Sequence, residues 1–304
     1  MRCDEMHTTI QGTDEFVIDA LELSLRPARE RRPSVRPDRA ELAATKALPP
    51  FLDTLVIRAN RVAIFGVRYR PYWIMSDVAM AAALIYAWAF SHRFRNVSGL
   101  GLGLAVLAAL LVYKLVLEIK AIFHRVAARS FLQDCLKIII PCFLVVSLIF
   151  RQPLSLAFAF LGTLLPLYGC LARIGCFLGG CCFGKPSRLG VLYPASIFES
   201  TDHNCRKFSP SPNPDTRVFP IQLIESAAQA ALFAALVIVV WQIPSAAWAI
   251  FWIYLSLYAI VRFALDFYRT TSARPRYGRF SEAQLACIAV QAISLTVLLG
   301  AVLR

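Results

Sequence analysis

The stretch 153-PLSLAFAFLGTLLPLYGCLARIGCFLGGCCFGKPS-187 decides the fold. Its first part, 153–173, is an apolar run that meets one charge, Arg173, at its end. About 20 residues at 1.5 Å rise cross the roughly 30 Å of a bilayer's hydrocarbon, so this run is long enough to span one. Beyond Arg173 the chain is expected to break into a glycine-rich loop holding Gly175, Gly179, Gly180 and Gly184. Working outward, six more apolar runs lie at 73–91, 97–117, 136–150, 221–241, 246–265 and 283–303, the one at 136–150 being the shortest. In lipid each span must satisfy its own backbone hydrogen bonds. The expectation is an all-α integral membrane bundle of about seven transmembrane helices with a polar cap loop.

Composition agrees. Hydrophobic residues make up 58% of the 304 and charged residues 17%, with a mean hydropathy of +0.59. Soluble domains run at about 45–50% apolar and about 25% charged. Disorder over most of the length and a soluble globular enzyme are both excluded. The net charge of +13 sits between the apolar runs, as expected of loops and headgroup contacts rather than of nucleic-acid binding. Residues 1–50 form a polar tail whose 26-RPARERRPSVRPDR-39 should be disordered, and no cleavable signal peptide is visible in it. Residues 51–304 form the membrane domain, with 174–220 as a cap loop. Basic residues crowd the loops on the N-terminal side, among them Lys120, Arg125, Arg188, Arg217 and Arg269. Arg93, Arg95, Arg151 and Arg304 mark the other side. Taken alone, that asymmetry puts the N-terminus and the long loop in the cytoplasm.

Charges inside apolar runs cost about 2.5–3.5 kcal/mol each at a helix centre and are functional candidates by default. Arg173 is a planar, always-charged fork suited to a phosphate, or else a snorkelling helix-end residue. In 254-YLSLYAIVRFALDFYR-269, Tyr254, Tyr258, Arg262 and Asp266 recur every four residues and form one helical stripe. The stripe faces a polar cavity, or its Arg262–Asp266 pair merely locks two helices. Gln222 and Glu225 open another helix, where Glu225 either answers the helix dipole, orients an arginine or accepts a proton. Lys114 and Asp77 are further charged candidates. Nine cysteines cannot all pair with one another. The cluster 176-CFLGGCC-182 fits no paired metal-ligand spacing, so neither metal nor cofactor is expected.

Together these segments resemble the prolipoprotein diacylglyceryl transferase family. The family pattern G-R-I-G-N-F-x-x-G-E-x-x-G-[RK] matches 172-ARIGCFLGGCCFGK-185, with Cys176 at its asparagine and Cys181 at its glutamate. P-x-Q-L-[YF]-E matches Pro220, Gln222, Leu223 and Glu225. Y-x-x-x-R-[FI]-x-x-[ED]-F-x-R matches Tyr258, Arg262, Phe263, Asp266, Phe267 and Arg269, and S-x-x-Q matches Ser281 and Gln284. Tyr72, in 65-FGVRYRPYW-73, takes the place of a tyrosine that opens the first helix, and Lys114 falls on a G-[RK] position. The family's histidine before the third span has no counterpart. The resemblance covers about 62–304.

It implies a multi-pass bacterial inner-membrane enzyme without cofactor. The enzyme moves a diacylglyceryl group from phosphatidylglycerol, or a related anionic phospholipid, to the lipobox cysteine of a prolipoprotein. Its implied catalytic residues are Arg173, Tyr258, Arg262, Asp266, Tyr72 and Glu225. The implied phospholipid-binding residues are Arg173, Gly175, Gly184, Lys114, Gln222 and Arg262, and His203 is a candidate base by loop position alone. It also implies that the long loop faces the periplasm, against the charge count. A divergent lipid-binding or lipid-transferring homologue, and a thiol-redox or metal protein built on Cys176, Cys181 and Cys182, remain open alternatives.

Overall fold

The computed structural model describes residues 50–60, 63–64, 67–68, 71–124, 132–193, 216–269 and 276–303. A short helix α1 (Pro50–Ala59) precedes a two-residue hairpin of β1 (Ala63–Ile64) and β2 (Val67–Arg68), in which Ala63 pairs with Arg68 and Ile64 with Val67. The membrane helices are α2 (Pro71–Arg93), α3 (Gly99–His124), α4 (Leu132–Ile149) and α5 (Leu154–Leu178). After β3 (Pro186–Val191) come α6 (Ile221–Gln242) and α7 (Ala247–Asp266). A second hairpin, β4 (Arg276–Tyr277) with β5 (Phe280–Ser281), leads into α8 (Glu282–Val302).

Among the described residues six of these helices are long and apolar enough to cross a membrane. The seventh, α4, has a shorter apolar stretch, Lys137–Ile149. Each of the seven runs read from the sequence falls on one helix. The tail 1–50 (except Pro50), most of the cap loop (194–215) and His203 lie outside the described residues.

Successive helices alternate in direction. At one end Arg93, closing α2, donates to the carbonyl of Trp241 near the end of α6 at 2.7 Å, and the Ser98 amide reaches Gln152 Oε1 at 3.0 Å. At the other end lie Tyr72, Lys114, Arg173, Gln222, Asp266 and Ser281, the residues that sequence reading singled out. The helix α5 is the spine: it packs against α2, α6 and α7, and half of its membrane window is buried. Close approach comes from small side chains. Ala79, Ala83 and Ala87 on α2 are buried four apart, and a Cβ on Gly162 of α5 would stand 2.6 Å from Phe251 Cα. Aromatic rings fill the centre: Tyr86 stacks on Phe160 at 5.5 Å, and its hydroxyl donates to Thr163 at 2.7 Å. Ile85, Trp88, Leu100, Leu111 and Leu299 turn outward, as expected where the bilayer is the solvent.

A small second core roofs the end that carries the charges. Val56 of α1 packs with Phe177, Phe183, Val191, Tyr193 and Val218. Asp53 pins this roof, accepting from Arg217 Nη2 at 2.8 Å and from the Leu192 amide at 3.0 Å. Burial raises the Tyr193 phenol well above its usual range, so it stays a donor, to the Phe177 carbonyl at 2.9 Å.

Candidate active site at one end of the bundle

One correction concerns where α5 ends. The sequence suggested a break after Arg173, but the helix continues to Leu178 with Gly179 as its C-cap. Ile174, Cys176, Phe177 and Leu178 prolong the apolar run. Gly175 lies inside the helix, where a Cβ would sit 3.0 Å from Met75 Cβ and 3.3 Å from Tyr72 Cα. It lets α2 pack close rather than hinging a loop, and α2 thereby sets Tyr72 beside α5. Asn60 donates to the Leu178 carbonyl at 2.7 Å and helps to close the helix end.

Past the cap, 183–185 threads between two other segments. The Gly184 amide donates to Phe219 O at 2.9 Å and the Lys185 amide to Tyr268 O at 2.9 Å. Gly184 bridges Arg269, and a Cβ there would stand 2.9 Å from Tyr268 O and 3.0 Å from Phe219 O. No side chain fits between those carbonyls, so glycine is required for this crossing.

The crossing carries Arg269 into the bundle. Glu225, on the second turn of α6 and fully buried, collects three guanidiniums. Arg173 Nε is 3.0 Å from its Oε2, Arg262 Nη1 is 3.6 Å away, and Arg269 Nη2 donates directly to the same oxygen. Tyr258 donates to Oε1 at 2.7 Å. Arg262 lies 3.7 Å from Asp266 Oδ1, and Asp266 accepts from the Ser281 hydroxyl. Ser281 is also the N-cap of α8, in a capping box with Gln284. The Tyr254–Asp266 stripe therefore faces inward, and Tyr254 stacks on Tyr258 at 5.7 Å. Gln222 donates to the Cys181 carbonyl at 2.7 Å, so it holds the loop after α5.

Three guanidiniums against two carboxylates leave one net positive charge in this cluster. Arg262 Nε and Nη1 and Arg269 Nε make no hydrogen bond among the described residues. Burial, then repulsion by Arg262, pulls Arg269 below the usual guanidinium range, and Glu225 opposes that fall. Arg173 is the accessible member, with 19% of its side chain exposed against 6% for Arg262 and 4% for Arg269. A cationic cluster with one reachable fork and spare donors is chemically suited to an anion such as a phosphate.

The structure thus gathers Arg173, Glu225, Tyr258, Arg262 and Asp266 and leaves two candidates aside. Lys114 is exposed, its ammonium 6.0 Å above the Trp73 ring, and Asp77 is exposed on the flank of α2. Arg269 was matched in the sequence pattern but given no role. Arginine in a polar loop carries no sign of burial, and only its place in the pattern pointed to it.

A comparison with curated proteins finds no match. The sequence model of the prolipoprotein diacylglyceryl transferase family matches residues 62–300, nearly the whole of the helical domain. The chain is therefore a multi-pass membrane protein of the prolipoprotein diacylglyceryl transferase family, a family of transferases that work on membrane lipid and a protein acceptor.

Proposed function

We propose that this chain transfers a diacylglyceryl group from phosphatidylglycerol to the lipobox cysteine of a prolipoprotein in the bacterial inner membrane, and that the Glu225 cluster is its active site. The observation that carries the reading is the buried carboxylate held by three arginines, with one net positive charge and one accessible guanidinium. The acceptor sulfur attacks the glyceryl carbon, a C–S bond forms, and the C–O bond to phosphate breaks. The electron pair leaves on the phosphate oxygen, whose charge grows in the transition state. Preorganised cations aimed at that charge lower the barrier.

On this reading Arg173 binds the phosphate from the accessible side and Arg262 and Arg269 complete its charge. Glu225 and Asp266 are positioning residues: the first fixes three guanidiniums, the second ties Arg262 to Ser281. Tyr258 acts through Glu225, and Tyr72 lines the α2–α5 contact beside Gly175 and Gly179. An apolar crevice of about 60 Å³, lined by Val106, Leu110, Ile139, Leu164 and Tyr168, opens between helices and offers a start for an acyl chain. A wider hollow at Phe94, Ser155 and Trp248 lies at the other end of the bundle. Ser155 and Arg173 are 18 residues apart on α5, about 27 Å at helical rise, so that hollow takes no part.

The test is complementation. A bacterium depleted of its own diacylglyceryl transferase expresses this chain, and a reporter lipoprotein is examined by mass spectrometry. Thioether lipidation is expected from the wild-type chain and lost with Arg173→Ala. A correctly inserted wild-type chain that gives no lipidation refutes the proposal.

A further inference from the structure

The segment 176-CFLGGCC-182 reverses the chain at the end of α5. Gly180, at φ +68°, donates its amide to Phe177 O at 3.3 Å, and the Cys181 amide donates to Cys176 O at 3.0 Å. This is the hydrogen-bond pattern of a Schellman turn, which sets the residue three before the cap against the residue two after it. Here those two residues are Cys176 and Cys181. Cys182 follows at φ +58°, a left-handed conformation that side chains rarely adopt and that collects at functional sites. The outcome is a cluster in which all three sulfurs lie within 4.8 Å of one another, none in a disulfide, two buried and Cys182 half-buried.

Tetrahedral zinc holds sulfurs at about 2.3 Å, which separates two thiolates by about 3.8 Å. Small side-chain rotations bring these three to that distance. Arg173 interacts electrostatically with Cys176 and Cys182, and Arg269 with Cys182, so cations stand beside the sulfurs that a bound metal would hold as thiolates. Three thiolates and a divalent ion carry one net negative charge, the complement of the one positive charge in the arginine cluster. Among the described side chains the only histidine is His92, at the opposite end of α2. Among those described side chains no imidazole stands beside the cluster.

We propose that Cys176, Cys181 and Cys182 bind Zn²⁺ through three thiolates and that the open fourth position takes the acceptor's cysteine thiol. The metal site stands on its own geometry; the role of the fourth position rests on the transferase reading. On binding, the acceptor thiol gives its proton to water and stays as a metal-bound thiolate. Its sulfur lone pair attacks the glyceryl carbon. The C–O bond breaks towards the phosphate beside Arg173, and the neutral thioether, a weak ligand, leaves the metal. Zinc is Zn²⁺ throughout, so no oxidant or reductant is needed.

The experiment uses the full chain, purified in detergent, with metal measured by mass spectrometry. About one zinc per chain is expected, together with thiolate-to-metal charge-transfer and tetrahedral bands after exchange with Co²⁺. Cys176→Ser and Cys181→Ser should each lower bound metal at least tenfold, while Cys142→Ser, in the bundle core, keeps it. Arg173→Ala should keep zinc and lose lipidation. A wild-type chain that binds neither Zn²⁺ nor Co²⁺ and titrates as free thiols overturns the metal site without reference to any variant. So does zinc that persists in the triple Cys→Ser variant. Lipidation that continues unchanged in metal-free wild-type protein overturns the role of the fourth position. Zinc at full stoichiometry with no lipidation leaves the metal site standing and sinks the transferase reading, and the role of the fourth position with it.

Discussion

Removing the charge of Glu225 while keeping its shape is the sharpest test of the arginine cluster. Glu225→Gln turns a carboxylate that faces three guanidiniums into an amide with one carbonyl and one NH₂ group. The side chain is fully buried, so water cannot take over. Arg173 Nε at 3.0 Å, Arg269 and, more loosely, Arg262 at 3.6 Å all converge on Oε2, so either placement of the amide disrupts the site. With the NH₂ at Oε2 it opposes the guanidiniums, and at Oε1 it turns the Tyr258 hydroxyl from donor to acceptor and leaves only a neutral carbonyl facing the guanidiniums. The net charge of the cluster rises from +1 to +2.

Breaking a buried ion pair by neutralising one partner costs about 3–5 kcal/mol. A hydrogen bond to a charged group is worth about 1.5–3 kcal/mol, and at least two such bonds are lost. We therefore expect a loss of about 3–5 kcal/mol, measured by SDS-titrated unfolding in mixed micelles. The double variant Glu225→Gln/Arg269→Gln returns the cluster to +1 and should recover more than half of that loss, a coupling that a double-mutant cycle isolates. Glu225→Gln within 1 kcal/mol of wild type would refute the reasoning, because the carboxylate would then not be what holds the guanidiniums in place.

Gly162→Ala drives a Cβ to 2.6 Å from Phe251 Cα, which is backbone and cannot yield. It should cost about 1–3 kcal/mol in the same titration. Gly300→Ala on α8 meets nothing within 4 Å and should stabilise by about 0.5–1 kcal/mol. Ser281→Ala removes both the N-cap of α8 and the donor to Asp266, and should cost about 0.5–2 kcal/mol along with part of the lipidation rate. The end of α8 emerges opposite the arginines, so if the site faces outward a C-terminal fluorescent fusion should glow in the cytoplasm. An active alkaline phosphatase fusion at the same point would refute that orientation.

The last of these bears on a conflict visible in the sequence. The charge count puts the long loop in the cytoplasm, and the family resemblance puts it outside. Two arginines in that count are not free topological charges: Arg217 is bound to Asp53 and Arg269 to Glu225. Arginines held by structural or catalytic partners inflate a count that assumes solvated loops.

The bundle was legible because apolar runs in lipid admit little but helices. The end of α5 was misread because Gly175 looks like a breaker in sequence. In the bundle its missing side chain is filled by Met75 and Tyr72, which offsets the helix cost of glycine, about 0.5–1 kcal/mol. Arg173, Tyr258, Arg262 and Asp266 were legible because a polar side chain in an apolar run is expensive and demands a reason. Arg269 follows the end of α7, where a charge costs little and signals nothing. The three cysteines were legible as neighbours in sequence but fitted no paired ligand spacing, because their closeness in space depends on the left-handed turn at Gly180, of which the sequence shows only a glycine pair.

These two groups are joined by the start of one helix. Gln222 and Glu225 are three apart on α6, so their side chains leave the same face. Gln222 Nε2 holds the Cys181 carbonyl at 2.7 Å, and Glu225 holds the three guanidiniums. The first turns of α6 therefore fix both the loop that carries the sulfurs and the cations beside it. Neither group can shift far without straining a buried polar contact of the other. The arrangement also accounts for Gln222 and Glu225 as a unit, where the sequence left Glu225 to answer the helix dipole, orient an arginine or accept a proton. A helix dipole would be served by an acid anywhere in the first turn. Only an acid three residues beyond the loop-holding glutamine brings the arginines to the cysteine turn.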